Sequence, residues 1–265
     1  MINVTIGQYY PTQSVIHRLD PRIGLLAVLI WVTMLFFVTN FVGYIFAALC
    51  LVAVIKLSQV PPKFMFRGLK GIIFILMFTV VLNVFFAPGE IILLEFGIIK
   101  ITYEGIILAL KMGIRLILLL VGCSLLTLTT SPIQLTDAIE NALKPLKKIG
   151  VPAHEIAMMM TIALRFIPTL LEEMDKIMKA QSARGADFDT GNLAQRAKSL
   201  IPILVPLFIS SFRRADELAM AMEARCYQGD VGRTRMKQLI FKKRDYIAML
   251  ILVLFAVSIL LTRLI

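Results

Sequence analysis

Two arginines, Arg184 and Arg225, end two segments of the chain that match one another at equal spacing. Residues 175–184 align without a gap on residues 216–225, 41 positions later, and share an aspartate, an aliphatic residue, two alanines and the arginine. A guanidinium at the carboxyl end of a helix is favoured by the helix dipole, and its planar fork can reach carboxylates or backbone carbonyls of another protein. The pattern therefore predicts two alike helix ends that meet a two-fold or pseudo-two-fold partner. The spacing alone leaves open that alanine-rich helices match by chance.

Two long helices are predicted to carry these arginines. From Glu155 onward, apolar residues recur at steps of three and four, which indicates one helical stripe: Ile156, Met160, Ala163, Ile167, Leu170, Met174 and Ile177. A second helix is predicted from about Gln195 to Arg225, bent or interrupted at its prolines. Gly185 follows the first arginine and Cys226 the second, and both positions indicate a helix end.

The composition indicates a membrane protein. Of 265 residues, 58% are hydrophobic, and the mean hydropathy is +0.84, more apolar than ordinary soluble domains. The net charge of +11 would suggest nucleic-acid binding in a soluble protein, whereas basic residues beside apolar spans usually set membrane topology. We therefore expect a lipid bilayer, and no nucleic acid, as a partner.

The three cysteines, Cys50, Cys123 and Cys226, are scattered along the chain without a C-x-x-C pair. This spacing predicts neither a disulfide framework nor a zinc site. The first 22 residues also lack the features of a signal peptide, so the first apolar span is expected to serve as the insertion signal.

A helix needs roughly 20 mostly apolar residues to cross a hydrocarbon core. Five stretches are predicted to do so, and Asp20 followed by Pro21 is a good start signal for the first. Their approximate bounds are Ile23–Thr39, Val42–Leu57, Leu69–Phe86, Tyr103–Leu128 and Tyr246–Thr262.

The placement of Lys and Arg predicts the orientation, because basic loops stay in the cytoplasm. Arg18 and Arg22 precede the first span, which places the amino terminus inside and, after five crossings, the carboxyl terminus outside. Residues 91–102 are predicted to form a small outer hairpin. Residues 129–245 hold 18 Lys and Arg against 13 Asp and Glu, too many to span, and are predicted to be cytoplasmic. The apolar run Ser199–Phe212 is short, which favours an interfacial or buried segment.

Charged residues inside an apolar span are a functional hypothesis by default, and Lys111 and Arg115 lie one helical turn apart in the fourth span. One interpretation is a substrate or ion path. The other, which we favour, is that they face a partner or the bundle interior and bond locally. The pair His154-Glu155 begins like a zinc-protease motif, but position 158 is Met158, so neither a catalytic centre nor a metal site is predicted.

Several strings in combination resemble the transmembrane T component of energy-coupling factor transporters, the vitamin and metal importers of prokaryotes. The resemblance covers nearly the whole chain and includes the paired Ala-Arg ends. The other strings are Gly7-Gln8-Tyr9-Tyr10-Pro11, Ser14, His17-Arg18-Leu19-Asp20-Pro21-Arg22, Leu125-Leu126-Thr127-Leu128-Thr129-Thr130-Ser131-Pro132 and Glu223-Ala224-Arg225-Cys226-Tyr227. One departure is Cys226, where the family motif has glycine. We therefore expect the helix before Cys226 to end differently from the helix before Gly185.

The resemblance implies a complex of two ATPase subunits, this chain and an exchangeable substrate-binding S component. It implies that this chain binds no cofactor, since ATP and Mg belong to the partner ATPases. Six residues would contact the ATPases: Ala183, Arg184, Gly185, Ala224, Arg225 and Cys226. The sequence also contains no G-x-x-x-x-G-K-[ST] loop.

Methionines recur on the predicted cytoplasmic helices, and flexible thioether surfaces suit several different partners. They either face the S component or fill the interface between the two helices: Met158, Met159, Met160, Met174, Met178, Met220 and Met222.

The predicted fold is therefore an all-α integral membrane protein with about five transmembrane helices. A cytoplasmic coupling domain would hold two long crossing helices and a shorter helix near Pro132–Lys148. The predicted domains are residues 1–128, 129–245 and 246–265. The predicted function is a non-catalytic coupling subunit of an ATP-driven micronutrient importer in the prokaryotic cell membrane. The alternative is a stand-alone permease or a membrane-embedded enzyme that uses Lys111 and Arg115.

Overall fold

The computed structural model describes residues 9–65, 71–86, 91–96, 99–186, 188, 192–229 and 239–262. These residues fall into two compact units, which divide at positions 138 and 238. The first unit holds the described residues before 139 together with 239–262. The second unit holds the described residues of 139–229. The predicted domain boundaries at 128 and 245 remain a prediction.

The first unit contains most of the apolar helices. Its elements are α1 (Pro21–Phe37), α2 (Phe41–Ser58), α3 (Ile73–Phe86), β1 (Ile92–Phe96), β2 (Ile99–Thr102), α4 (Tyr103–Thr129) and, after the second unit, α9 (Lys243–Thr262). The predicted hairpin is confirmed as β1 paired antiparallel with β2, Glu95 opposite Lys100, and its position on the outer side of the membrane remains a prediction. Residues 97–98 at its turn lie outside the described residues, as do residues 69 and 70 of the predicted third span and residues 7 and 8 of the amino-terminal string.

Helix α1 begins where Asp20 and Pro21 predict. The carboxylate of Asp20 accepts the backbone N–H of Arg22 at 3.0 Å, and Pro21 occupies the first turn. Helix α9 begins three residues earlier than predicted, at Lys243, because Asp245 is buried and its two oxygens accept the backbone N–H groups of Asp20 and Lys242. The starts of α1 and α9 are thereby hydrogen-bonded to each other.

The core of the first unit centres on stacked aromatic rings from three helices. The rings of Trp31 and Phe255 lie 5.4 Å apart, and Phe46 stacks on the other side of Phe255 at 6.1 Å. The indole N–H of Trp31 donates to the carbonyl of Leu118 at 3.1 Å. This ring fits because Gly122 faces it: a Cβ atom at that position would lie 2.2 Å from the indole nitrogen.

By length and composition alone, four of the described helices are apolar enough to cross a membrane: α2, α4, α9 and a helix of the second unit, α6 (Ala153–Ala183). Helices α1 and α3, which correspond to the first and third predicted spans, have 17 and 14 residues. Helix α6 qualifies through its first 19 residues, which carry only Glu155 and Arg165; five charged residues follow between 172 and 179. The chain is an all-α membrane protein in which many apolar side chains of the spans are exposed, as lipid contact requires.

The second unit comprises the end of α5 (Pro132–Leu143), a 3₁₀ helix (Lys144–Ile149), α6, α7 (Leu193–Ser199) and α8 (Ile201–Glu223). The predicted interruption of the second long helix is confirmed. It falls at Leu200, just before Pro202, whose missing N–H is harmless in the first turn of α8. Pro168 and Pro206 lie inside α6 and α8.

Candidate partner-binding site

Helix α6 ends in a left-handed cap. Arg184 follows the last helical residue, and Gly185 has a φ of +89°. The N–H of Gly185 donates to the carbonyl of Ser182, and that of Ala186 donates to the carbonyl of Gln181, both at 3.0 Å. This pair of bonds is the Schellman motif, which satisfies carbonyls that the last helical turn leaves free.

Helix α8 ends in the same way, so the expectation that Cys226 changes the helix end was wrong. Cys226 has a φ of +56°. Its N–H donates to the carbonyl of Glu223 at 2.8 Å, and the N–H of Tyr227 donates to the carbonyl of Met222 at 3.1 Å. The two hydrogen bonds hold Cys226 in a left-handed conformation that residues other than glycine and asparagine rarely adopt. Arg184 and Arg225 therefore occupy equivalent positions in two equivalent caps.

All six predicted contact residues are exposed at these caps. Within the part of the chain that the structure describes, the guanidinium groups of Arg184 and Arg225 form no hydrogen bond or ion pair. One turn earlier on α6, Lys179 donates to Asp175 at 2.6 Å, and this hydrogen bond lowers the pKa of the Asp175 carboxyl. Both arginines remain available to a ligand protein.

An ion pair joins α6 and α8 where they cross. Arg214 donates to Glu173 at 2.7 Å, and Ser210 also donates to this carboxylate. Glu173 and Arg214 are 41 residues apart, the same offset that relates the two helix ends. When a residue contacts its own counterpart, the two lie on the axis that relates the two segments. The ion pair therefore marks a pseudo-two-fold axis through the crossing.

The two helices run in opposite directions across this axis. The hydroxyl of Tyr227, just beyond the end of α8, lies 3.4 Å from Nε2 of His154 near the start of α6, while Glu173 contacts the middle of α8. The arginines thus point to opposite ends of the helix pair. Each lies 11 residues from its member of the central ion pair, an arm of about 16 Å at 1.5 Å per residue.

Side-chain contacts near the α8 end tie it to two other elements. Nδ1 of His154 lies 3.4 Å from a carboxylate oxygen of Glu140, which is buried on α5. Tyr227, His154 and Glu140 therefore connect the cap that follows Arg225 with the start of α6 and the end of α5.

The amino-acid sequence has close relatives with known family membership. Residues 12–237 match the model of the cobalt transport protein family CbiQ. The energy-coupling factor transporter transmembrane protein EcfT of Thermosediminibacter oceani is 57% identical over 263 residues, 99% of each chain. The proteins of the same name are 58% identical in Clostridium kluyveri, over 97% of this chain and 96% of the relative, and 45% identical in Bacillus subtilis, over 92% of each chain. The chain belongs to the EcfT family. Like other family members, it is a transmembrane component of an energy-coupling factor transporter rather than an enzyme, and it passes through the membrane more than once.

The methionines of this EcfT-family chain divide into two groups. Met159 and Met220 are about three-fifths exposed, and Met160 is also exposed. The remaining four are half-buried: Met158, Met174, Met178 and Met222. Their assignment to the S component stays a prediction.

A larger apolar surface was missed as a candidate site. The first half of α8 exposes a run of large apolar side chains, of which Phe212 is 67% exposed and Phe208 61%. Ile203 is the buried residue of this stretch. A contiguous face of exposed large apolar side chains is typical of a protein or membrane contact. The apolar run Ser199–Phe212 carries the signal in the sequence, although its length alone does not separate an exposed face from a buried one.

The intramembrane charges of this EcfT-family chain are used locally. Arg115 donates to the hydroxyl of Tyr44 at 3.1 Å and to the carbonyl of Val38 at 3.0 Å, so it caps the end of α1. The ammonium of Lys111 lies 5.3 Å from the ring centre of Phe41. These contacts favour the local interpretation of the two charges over a substrate or ion path.

Proposed function

We propose that this chain is the non-catalytic coupling subunit of an ATP-driven importer of micronutrients, either vitamins or metal ions. It would transmit the motion of two ATPase subunits to an exchangeable S component that holds the substrate. The observation that carries the proposal is the pair of equivalent, exposed, arginine-tipped caps at opposite ends of two crossing helices.

The caps suit two copies of one kind of groove. Each presents a guanidinium beside small or short residues, Ala183 and Gly185 in one cap and Ala224 and Cys226 in the other, so a partner backbone can approach closely. A pseudo-two-fold arrangement of ligands matches a pair of like subunits. We assign one ATPase subunit to each cap.

Energy would come from these partners, because the sequence contains no phosphate-binding G-x-x-x-x-G-K-[ST] loop. ATP and Mg would be bound by the ATPase subunits. Their closure would displace the two caps relative to each other, and the ion pair of Glu173 with Arg214 would hold the crossing together during this movement.

The S component would rest on apolar surface of the second unit. The exposed half of α8 and the exposed Met159, Met160 and Met220 support this assignment, since thioether and aliphatic surfaces adapt to different partners. The half-buried methionines would support that surface from beneath. We further propose the membrane orientation that basic loops favour, with the amino terminus in the cytoplasm and the carboxyl terminus outside.

The test is a double charge reversal, Arg184→Glu with Arg225→Glu, in the full transporter. If the arginines bind the ATPases, the double variant should lose co-purification of the ATPases in mild detergent and should lose uptake. Each arginine in a central contact is worth about 2 kcal/mol or more, which is at least about thirtyfold in affinity. The chain itself should still insert in the membrane at wild-type level.

The matched control is Lys176→Glu, which reverses an exposed charge on α6 two turns before the cap. This variant should change the affinity for the ATPase subunits by less than about twofold, because Lys176 lies outside the cap. Wild-type ATPase retention and uptake in the double variant would refute the proposed role of the arginines.

A further inference from the structure

Four basic residues gather where α1 and α9 begin; we name them the basic patch: Arg22, Lys242, Lys243 and Arg244. Two contacts bring them together. The backbone N–H of Asp20 donates to Asp245 at 3.0 Å, and the guanidinium of Arg22 donates to the carbonyl of Leu239 at 3.4 Å. Residues far apart in sequence thus form one continuous surface of the first unit.

The nearby acids neutralise this patch only in part. Asp20 and Asp245 are 7% and 2% exposed. Both oxygens of Asp245 accept backbone N–H groups, and Asp20 caps α1 while lying 3.8 Å from Nε of Arg22. Four cations are thus accompanied by only two buried carboxylates, so the patch keeps a net positive charge.

The cations of the patch have spare bonding capacity. Lys242 and Lys243 are exposed, and in the described part of the chain their ammonium groups form no hydrogen bond or ion pair. The Nε atoms of Arg22 and Arg244 are buried without a hydrogen-bond acceptor among the described residues. Basic residues at a helix start are also unfavourable beside the positive end of the helix dipole. An anion bound at the exposed ammonium groups of Lys242 and Lys243 would offset this unfavourable positive charge.

Exposed apolar and aromatic side chains lie next to the patch. Ile240 is 69% exposed, Tyr246 64% and Phe241 40%. The rings of Phe241 and Tyr246 lie 6.1 Å apart, and the guanidinium of Arg22 lies 5.3 Å from the ring centre of Phe241. Aromatic rings with adjacent Lys and Arg, at the starts of two apolar helices, are typical of the headgroup level of a bilayer.

We propose that the basic patch binds the headgroup of an anionic phospholipid. The phosphate would meet Lys242, Lys243 and the two arginines, while the acyl chains would lie along the exposed aromatic and aliphatic side chains. A free phosphate offers the same charge without the chains, so it lacks the second set of contacts. The proposal depends on the membrane location of α1 and α9 and is independent of the ATPase contacts.

The experiment compares phosphatidylglycerol with phosphatidylcholine on the purified full chain in detergent. Lipid retention is measured by native mass spectrometry, and the thermal midpoint is measured as each lipid is added. Phosphatidylglycerol should bind at least about tenfold more tightly, because each Lys or Arg near an anionic surface contributes severalfold. This preference should fall strongly at about 0.5 M salt, where charges are screened.

The variant Lys242→Gln with Lys243→Gln should weaken phosphatidylglycerol binding by about tenfold and leave phosphatidylcholine binding unchanged. The control Lys56→Gln with Lys63→Gln removes the same charge from two exposed residues of the first unit and should change binding by less than about twofold. If the double variant at the patch does not fold, Lys243→Gln alone and the salt series on the unaltered chain decide the question.

Three results would overturn the proposal. The first is equal binding of the two lipids by the unaltered chain. The second is an equal loss of phosphatidylglycerol binding in the control variant. The third is full reproduction of the lipid-induced stabilisation by inorganic phosphate or glycerol phosphate, which would make the patch a site for free phosphate.

Discussion

The ion pair at the helix crossing permits a charge-swap experiment. Glu173→Arg alone places two guanidinium groups against each other and removes the acceptor of Ser210. Arg214→Glu alone places two carboxylates together. The double variant restores an ion pair with reversed polarity. Because the two residues contact each other on the pseudo-two-fold axis, the reversed pair should fit the same space.

The contact geometry sets the size of the effect. The pair is 2.7 Å long, and its side chains are 23% and 33% exposed, so it lies between an exposed pair worth about 0.2–1 kcal/mol and a buried one whose loss costs about 3–5 kcal/mol. We expect each single variant to cost about 2 kcal/mol. The swap should recover roughly half of the summed loss, since Ser210 stays without its original acceptor.

The assay is thermal unfolding of the full chain in one detergent, combined as a double-mutant cycle. For a chain of this size, 1 kcal/mol corresponds to about 2–4 °C in the unfolding midpoint. Each single variant should therefore lower the midpoint by about 4–8 °C. The decrease in the double variant should be well below the sum of the two single decreases. Uptake by the complete transporter should follow the same order, since both caps depend on the crossing.

Glu172→Arg with Arg213→Glu is the matched control. These neighbours have the same 41-residue offset and are both exposed, so each single change should lower the midpoint by less than about 2 °C. The contrary result is a double variant at the crossing whose free energy of unfolding falls by the full sum of the two single decreases. In that case the central ion pair contributes no coupling and the assignment of the axis to it is wrong.

Three further predictions concern backbone and packing. Cys226→Gly should stabilise the chain by about 0.5–1 kcal/mol because glycine adopts positive φ freely, whereas Gly185→Cys should destabilise it by a similar amount; thermal unfolding compares the two. Gly122→Ala should cost about 1–3 kcal/mol because the new methyl group would overlap the indole ring, while Gly71→Ala, which faces open space, should be nearly neutral in the same assay. Arg115→Met should cost about 1–2 kcal/mol, because the Val38 carbonyl at the end of α1 would keep only the Tyr44 hydroxyl as a donor, and unchanged stability would contradict the structural role of this charge.

Patterns of hydrophobicity were enough to predict most helices. The bounds of the second and fourth predicted spans agree with α2 and α4 to within one residue at each end, because an apolar run bounded by polar residues specifies a membrane helix directly. The start of α9 was harder to predict from the sequence. Its first turn holds Lys243, Arg244 and Asp245, and only the long-range contact of Asp245 with Asp20 explains why these residues are helical.

The candidate site could be predicted in part. The repeated Ala-Arg ends were visible as a 41-residue offset, but the equivalence of the two caps was hidden by Cys226. A cysteine does not signal positive φ, and two backbone hydrogen bonds impose that conformation here. The partnership of Glu173 with Arg214 could have been found by extending the same offset two residues backward. The exposure of Phe208 and Phe212 could not have been predicted, because an apolar run fits a buried helix equally well.

The two caps are alike in backbone but unlike in what supports them. Behind Arg225, the side chains of Tyr227, His154 and Glu140 form a direct brace to α5, the helix that leads straight back along the chain to α4. Among the described residues, no side-chain contact of this kind lies behind Arg184, so a force on that cap passes along 11 residues of α6 before it reaches the crossing. Equal forces on the two caps would therefore displace the Arg184 cap more than the Arg225 cap. The two ends of this nearly symmetric helix pair would respond unequally to the same partner.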